Sequence, residues 1–549
     1  MPLDGFQEYN RDDAERYNRK RWWPGLTWGD IFDKATDLYP RKIGLVDDTA
    51  GFTYRDLREK VDRLAVSLIE LGIRQGDFAL IQLPNWHEFI ISYFALQKVG
   101  VRVILLIARH GKVEISYLCE LTKPTVWIVP ENYATIAYGP LIAEIRKEHP
   151  SLRQIILARA EEREGFQSLD ALIESGRLTA ETLRLIAERR PDPMEVATIT
   201  PTGGTTGLPK AVPRIHNDFI ANVEYHSKAW ELTSADTILT VAPVSHGQGM
   251  LCGVGASFFN YAKYVLSDST KAEDICAAIE REKVTAFPTV PAVLQRIVNF
   301  EGLRNYDLTS LRKVYSGGAP STAELVRVVY DKLRCRFVNA YGSAEGSCAM
   351  TRLEDDFETI CTTVGRKDCP YNEFKVINQY EQEVPPGTEG ELVTKGPTIF
   401  TGYYKSEEEN KKIFTKDGFF RTGDLAVIDE SGTIRLTGRI KETILRGGET
   451  ISALAIEQLI SSHPDVTDVA VIGMPDADLG ERVCAYVVKK PQAVLSFDDI
   501  ITFLKGAGAS VMQLPERIEF VSAIPLTKIG KADKKMLRED IIRKQKFST

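Results

Sequence analysis

Short apolar runs alternate with amphipathic stretches through most of this chain, a pattern that folds as mostly parallel sheets covered by helices. Apolar spacing predicts a helix over 52–71, started near Tyr54 and stopped at Gly72, and a second over 88–99. Strands are predicted at 78–83, 126–129, 154–157, 237–241, 285–287 and 313–315. The apolar stretch 99–107 contains Arg102 and reads as a buried strand with its leading turn. A length of 549 residues exceeds one ordinary core, so two or more domains are expected. After about Glu373 the texture changes. Brief β-like runs (391–394, 433–437) are separated by the turn pairs Pro386-Gly387, Asp417-Gly418 and Ser431-Gly432, predicting a small β-rich subdomain over about 374–440. Alternation then returns, with a helix at 453–463, strands at 466–473 and 482–489, and a helix from Phe497. The boundary is placed near Lys441, giving a large α/β domain over 1–440 and a small α+β domain over 441–549, with no Gly/Ser-rich linker between them.

Composition narrows the class. With 43% hydrophobic and 26% charged residues and no low-complexity tract, the chain is globular. A net charge of -7 argues against a general nucleic-acid surface. Residues 1–23 are charged, without the apolar centre of a signal peptide, and no run approaches the ~20 apolar residues of a membrane helix. Lys546-Phe547-Ser548-Thr549 is no peroxisomal address. A cytoplasmic location is therefore expected, with no membrane partner. The eight cysteines form no CxxC pair and read as reduced, buried thiols, and the seven histidines lack metal-ligand spacing, so no tightly held metal is expected.

One stretch points to chemistry. Thr200-Pro201-Thr202-Gly203-Gly204-Thr205-Thr206-Gly207-Leu208-Pro209-Lys210 holds three glycines and four threonines in eleven residues, poor material for a helix or packed strand. As a loop, its N–H groups and hydroxyls can wrap a polyphosphate, with Lys210 adding charge. It is not a Walker A loop, because Ala211 follows the lysine. Further motifs follow in order: Tyr315-Ser316-Gly317-Gly318-Ala319, Asn339-Ala340-Tyr341-Gly342-Ser343-Ala344-Glu345-Gly346, Gly402-Tyr403-Tyr404 and Phe420-Arg421-Thr422-Gly423-Asp424. Gly438-Arg439-Ile440-Lys441-Glu442, Arg446-Gly447-Gly448-Glu449 and Pro525-Leu526-Thr527-Lys528-Ile529-Gly530-Lys531 complete the series.

In these motifs the chain resembles the superfamily of acyl-adenylate-forming enzymes, which spans acyl-CoA synthetases, peptide-synthetase adenylation domains and beetle luciferases. The double glycine Gly203-Gly204, the Ala344-Glu345 pair and the run Pro213-Arg214-Ile215-His216-Asn217-Asp218 look like the stand-alone aryl-acid branch, such as 2,3-dihydroxybenzoate–AMP ligase. The resemblance implies ATP-dependent activation of an acid to an acyl-adenylate, release of pyrophosphate, and transfer to a thiol. ATP, Mg²⁺ and coenzyme A (or carrier-protein phosphopantetheine) are the implied cofactors. The implied partners are a small aromatic acid and either CoA or an aryl carrier protein, and the chain itself would be a monomer or homodimer.

The resemblance also implies roles. Thr202, Gly203, Gly204, Thr205, Thr206, Gly207 and Lys210 would hold phosphates. Gly317, Gly318, Ala319, Asn339, Tyr341 and Gly342 would hold the base, with Tyr341 stacking on it and Asn339 bonding its edge. Asp424 and Arg439 would take the ribose. Glu345 would be the single protein ligand of Mg²⁺, an ion that keeps most of its waters. Lys531 would bridge the carboxylate and the α-phosphate as charge develops, and His246 would stand beside the carboxylate. Lys441 would be the hinge that swings the C-terminal domain, with Gly447 and Gly448 beside the pantetheine tunnel. The substrate wall falls on Ala242 to Met250, where no acidic residue is present to hold an amino acid's ammonium group. Catechol enzymes carry asparagine after the histidine, but here Gly247 follows it. The positions expected as serine and valine are Cys252 and Cys348. A buried catechol hydroxyl left without a partner costs roughly 1–3 kcal/mol, so a less polar or bulkier ring, bicyclic included, fits better. The leading reading is an aryl-CoA ligase. The alternatives are an aryl-acid–AMP ligase that loads a carrier protein and, more distantly, a luciferase-like oxygenase. A non-catalytic nucleotide sensor would lack Lys531 or Glu345, and both are present.

Overall fold

The computed structural model describes residues 3–202, 208–446, 449–476, 478–527 and 531–547. Among these, two large sheets carry the N-terminal part. The nine-stranded sheet runs parallel from Arg336–Gly342 through Lys313–Gly317, Ala286–Thr289, Thr237–Thr240 and Lys263–Leu266 to Ile43–Val46, with antiparallel strands at its ends. The seven-stranded sheet is parallel from Val196–Thr202 through Arg102–Leu105, Phe78–Ile81, Val126–Pro130 and Gln154–Ala158 to Gln167–Ser168, closed by the antiparallel Lys210–Ile215.

The helix Tyr54–Glu70 begins where expected because Thr53 and Asp56 form a reciprocal capping box. The helix His87–Lys98 is apolar nearly all round and buried along its length from Glu88 onward, so it lies between elements instead of facing water. Its residues share one apolar cluster with strand residues from both large sheets, such as Leu45 and Val103. Each buried Phe or Ile in that cluster contributes roughly 1.5–3 kcal/mol. The one cation on this helix, Lys98, is paired with Asp62 (2.5 Å) and Asp33 (2.7 Å), as a buried charge requires.

The expected β-rich piece is a four-stranded antiparallel sheet of Glu373–Ile377, Glu389–Lys395, Phe420–Ile428 and Ile434–Arg439. The smaller C-terminal part is a five-stranded sheet built on Val466–Asp476 and Gly480–Lys489, with helices Ala453–Ser461, Phe497–Gly506 and Lys534–Phe547. Among the described residues no helix is long and apolar enough to cross a membrane.

One expectation needs correction. The glycine- and threonine-rich stretch was expected to be loop from Thr200 onward, yet Thr200, Pro201 and Thr202 continue the strand Val196–Thr202. Thr202 stands opposite Lys210 in register. β-branched threonine suits a strand, and the pairing with Lys210–Ile215 carries it to Thr202.

Candidate active site

The motif glycines lie at the carboxyl ends of two adjacent parallel strands, where open α/β sheets collect ligands. Lys313–Gly317 ends at Gly317, and Arg336–Gly342 ends at Gly342. Gly318 takes φ +84, a conformation glycine adopts freely, and so turns the chain away and leaves the strand end open. Across from these ends, Asp424 and Arg439 are direct partners in the antiparallel pair of Phe420–Ile428 and Ile434–Arg439. Arg439 Nε donates to Asp424 Oδ1 (2.8 Å), and the Tyr341 hydroxyl donates to Asp424 Oδ2 (2.7 Å). Register therefore joins three residues expected at the nucleoside. Asn339 differs in detail from the expectation. Its amide nitrogen donates to the carbonyls of Thr363 (2.8 Å) and Ile360 (3.2 Å). What it offers a base is its carbonyl oxygen, an acceptor for an exocyclic amine.

Lys531 reaches this place from a different domain. Its Cε lies 3.8 Å from where a Cβ on Gly318 would stand. Two bonds to Thr527 hold it, with Thr527 N–H donating to Lys531 O (2.7 Å) and Lys531 N–H to Thr527 Oγ1 (3.1 Å). The residue as a whole is exposed. The protein packed around its ammonium, and then the Arg439 cation, lower its pKa against the opposing pull of Asp424, Glu442 and Glu345.

Glu345 accepts from the Tyr403 hydroxyl (2.8 Å). The loop that carries it is fixed by a buried ion pair that sequence reading had left without a role. Arg214 bonds Asp218 (2.9 Å) and donates to the carbonyls of Ala344 (2.9 Å) and Thr398 (2.8 Å). Tyr9 completes this clamp, its hydroxyl lying 2.7 Å from both Asp218 Oδ2 and the Ile399 carbonyl. Tyr9→Phe leaves those buried acceptors short of a donor and is expected to cost about 1–3 kcal/mol of stability. The check is a urea melt, in which the midpoint should fall with an unchanged slope. Lys210 pairs with Glu409 (2.6 Å) and lies over the ring of the same Tyr403 (4.3 Å). A single carboxylate such as Glu345 is in keeping with Mg²⁺, which borrows one protein oxygen and completes its shell with water and substrate phosphates. Among the described residues the group with metal-ligand geometry is elsewhere: Asp47, His87 and Glu88, all bound up with Arg159 or each other.

His246 ends the turn after Thr237–Thr240, and burial followed by the Lys531 charge lowers its pKa to about 4, so the imidazole is neutral at physiological pH. Nδ1 accepts from Gln248 N–H (3.4 Å), which leaves Nε2–H as the donor. A Cβ placed on Gly247 meets nothing within 4 Å, so the wall beside it is open. A π-helix, Gly249–Gly255, follows and carries Cys252. Periodicity alone did not signal it. Such turns concentrate at functional sites. Cys252 and Cys348 are both buried, and burial raises both thiols well above the ordinary range, so neither is a nucleophile. Gly203, Gly204, Thr205, Thr206, Gly207, Gly447 and Gly448 lie outside the described residues. Gly342 and Ala319 are exposed at the strand ends, and Lys441 is exposed in the 3₁₀ turn Ile440–Glu442.

The family described as AMP-binding enzyme matches residues 32–404, and its C-terminal domain matches 455–531. The chain belongs to the AMP-binding enzyme family. It is 35% identical over 543 residues to the 2,3-dihydroxybenzoate-AMP ligase of Bacillus subtilis (strain 168), covering 99% of this chain and 98% of that one. It is 33% identical over 540 residues to the 2-hydroxy-7-methoxy-5-methyl-1-naphthoate--CoA ligase of Streptomyces carzinostaticus, covering 97% and 96%. Among solved structures it superposes on the apo structure of Mycobacterium smegmatis MbtA with TM-score 0.73 and 30% identity, covering 97% of this chain and 98% of that chain. The superfamily and the aryl-acid branch read from the motifs are borne out.

Proposed function

We propose that this chain activates an aromatic carboxylic acid with ATP, forming an aryl-adenylate and pyrophosphate, and then transfers the aryl group to the thiol of coenzyme A. The observation that carries the reading is the delivery of Lys531 from the C-terminal lobe to Gly318, within the field of Asp424 and Glu345 and beside a neutral His246. A carboxylate is a weak nucleophile that approaches a polyanion, so the first need is positive charge placed where the new bond forms. Lys531 supplies it. His246 donates Nε2–H to the carboxylate without adding a charge that would compete for the α-phosphate. Asp424 accepts from the ribose hydroxyls, Arg439 braces it, and Tyr341 covers the base. Glu345 would hold Mg²⁺, which supplies charge neutralisation at the phosphates. Holding acid and ATP in line lowers the entropic part of the barrier. Lys441 is the proposed pivot that then withdraws Lys531 and presents the thiol tunnel.

The empty space at Gly247 supports a wide ring, and a relative named as a naphthoate–CoA ligase is in keeping with it. Pyrophosphate release is to be measured with benzoate, salicylate, 2,3-dihydroxybenzoate and 2-naphthoate, then repeated with CoA and AMP detection. A naphthoate-type acid and CoA-dependent AMP release are the expected results. A preference for 2,3-dihydroxybenzoate with no response to CoA would replace this reading with carrier-protein loading. Gly247→Asn restores the side chain that catechol enzymes carry at a position with room for it. It is expected to shift relative kcat/KM towards ortho-hydroxylated benzoates by about 1–3 kcal/mol. An unchanged ranking of the four acids would show that this wall does not face the ring.

A further inference from the structure

Inward from Lys531 the strand Lys313–Gly317 leads past Gly317 to Tyr315. A Cβ on Gly317 would lie 3.5 Å from the Tyr315 hydroxyl, and one on Gly342 would lie 3.5 Å from Cys348 Sγ. Tyr315 and Cys348 therefore lie directly against the two strand-end glycines.

The hydrogen bonds at this depth can be followed proton by proton. His226 Nδ1 faces Asp368 Oδ2 at 3.2 Å, and a carboxylate there requires the proton on Nδ1. Nε2 is then the acceptor and takes the thiol proton of Cys252, 3.3 Å away. Tyr315 in turn hydrogen-bonds Cys252. Each of these donors has its acceptor. Cys348 directs its thiol to Asn222 Oδ1 at 4.0 Å. The Asn222 amide nitrogen alone in this group is left without a partner, on a residue only 1% exposed. Such a donor, buried and unmatched, costs about 1–3 kcal/mol unless something accepts from it. Asn222 lies on the helix His216–Ala229, which packs on the π-helix closely enough that a Cβ on Gly255 would meet Val223 at 2.4 Å. The amide is held in place by that packing.

We infer that Asn222 is a specificity-determining residue whose free amide N–H receives a hydrogen-bond acceptor on the far edge of the aryl ring, such as an ether, carbonyl or ring-nitrogen atom. The inference rests on the aryl-acid reading above. It also agrees with the two cysteines being lining without a donor to spare, since their protons already face His226 and Asn222. The ring's far edge meets one donor.

The test compares ATP–pyrophosphate exchange driven by 2-naphthoate and by 6-methoxy-2-naphthoate, and by benzoate and its 3- and 4-methoxy derivatives. In the unaltered protein at least one methoxy acid should exceed its parent by about tenfold in kcat/KM. In Asn222→Leu that ratio should collapse towards one. Asn222→Asp keeps the size and turns the donor into an acceptor, so it should reverse the preference, and it covers the case in which leucine disturbs packing. Thermal melts of both variants identify a folding defect. A methoxy-to-parent ratio that survives in a folded Asn222→Leu or Asn222→Asp overturns the assignment, as does the absence of any methoxy preference in the unaltered protein. Exchange with no aromatic acid at all overturns the aryl-acid reading itself, and this inference with it.

Discussion

Replacing Lys531 by alanine is expected to slow adenylate formation by at least about 10²–10³-fold, the scale of losing one preorganised charge donor at a reacting centre. A ready-made aryl-adenylate should still pass to the thiol at close to the normal rate. Lys531 stands over Gly318 in the arrangement described here, and on the proposed function the transfer step proceeds with the lysine withdrawn. ATP–pyrophosphate exchange reads the first step, and thioester formed from synthetic adenylate reads the second. Equal losses in both would remove Lys531 from its assigned role.

The second large effect is expected at the pivot. Lys441 occupies the 3₁₀ turn Ile440–Glu442 between Ile434–Arg439 and Thr443–Arg446. Ser452 Oγ, beyond the turn, donates to the carbonyl of Thr437, before it. A rotation of the lobe about Lys441 must break that bond and change the dihedrals of the turn. Proline fixes φ near -65°, so Lys441→Pro should hold the lobe in one posture. Overall thioester synthesis should fall by about two orders of magnitude, while pyrophosphate exchange stays within about threefold. Exchange that falls in parallel with turnover would place the pivot elsewhere.

Much of this was legible in the residues. Apolar spacing after Tyr54 announces its helix, and the β-rich piece follows from turn pairs such as Ser431-Gly432. Asp424, Arg439, Tyr341 and Lys531 were chosen from motifs and meet in space. What escaped was chemistry made by distance. Tyr9 and Asp218 are 209 residues apart, and no local pattern links them. His226 and Asp368 are 142 apart, and the histidine sits in the last turn of its helix with no motif to mark it. The strand at Thr200–Thr202 was missed for a different reason: pairing with Lys210–Ile215 outweighed local composition.

The approach of Lys531 to Arg439 has a consequence for timing. Two cations approach one cleft: burial first and then the Arg439 charge lower the pKa of Lys531 against the pull of Asp424, Glu442 and Glu345, whereas the pKa of Arg439, against its own burial, is raised by Asp424. On the proposed function, ATP phosphates between the two cations would draw Lys531 in, and departing pyrophosphate would carry most of that negative charge away, so that release of the first product would itself favour withdrawal of the lysine. Salt should blunt both strokes, since exposed charges interact weakly beyond a screening length of about 8 Å at physiological ionic strength.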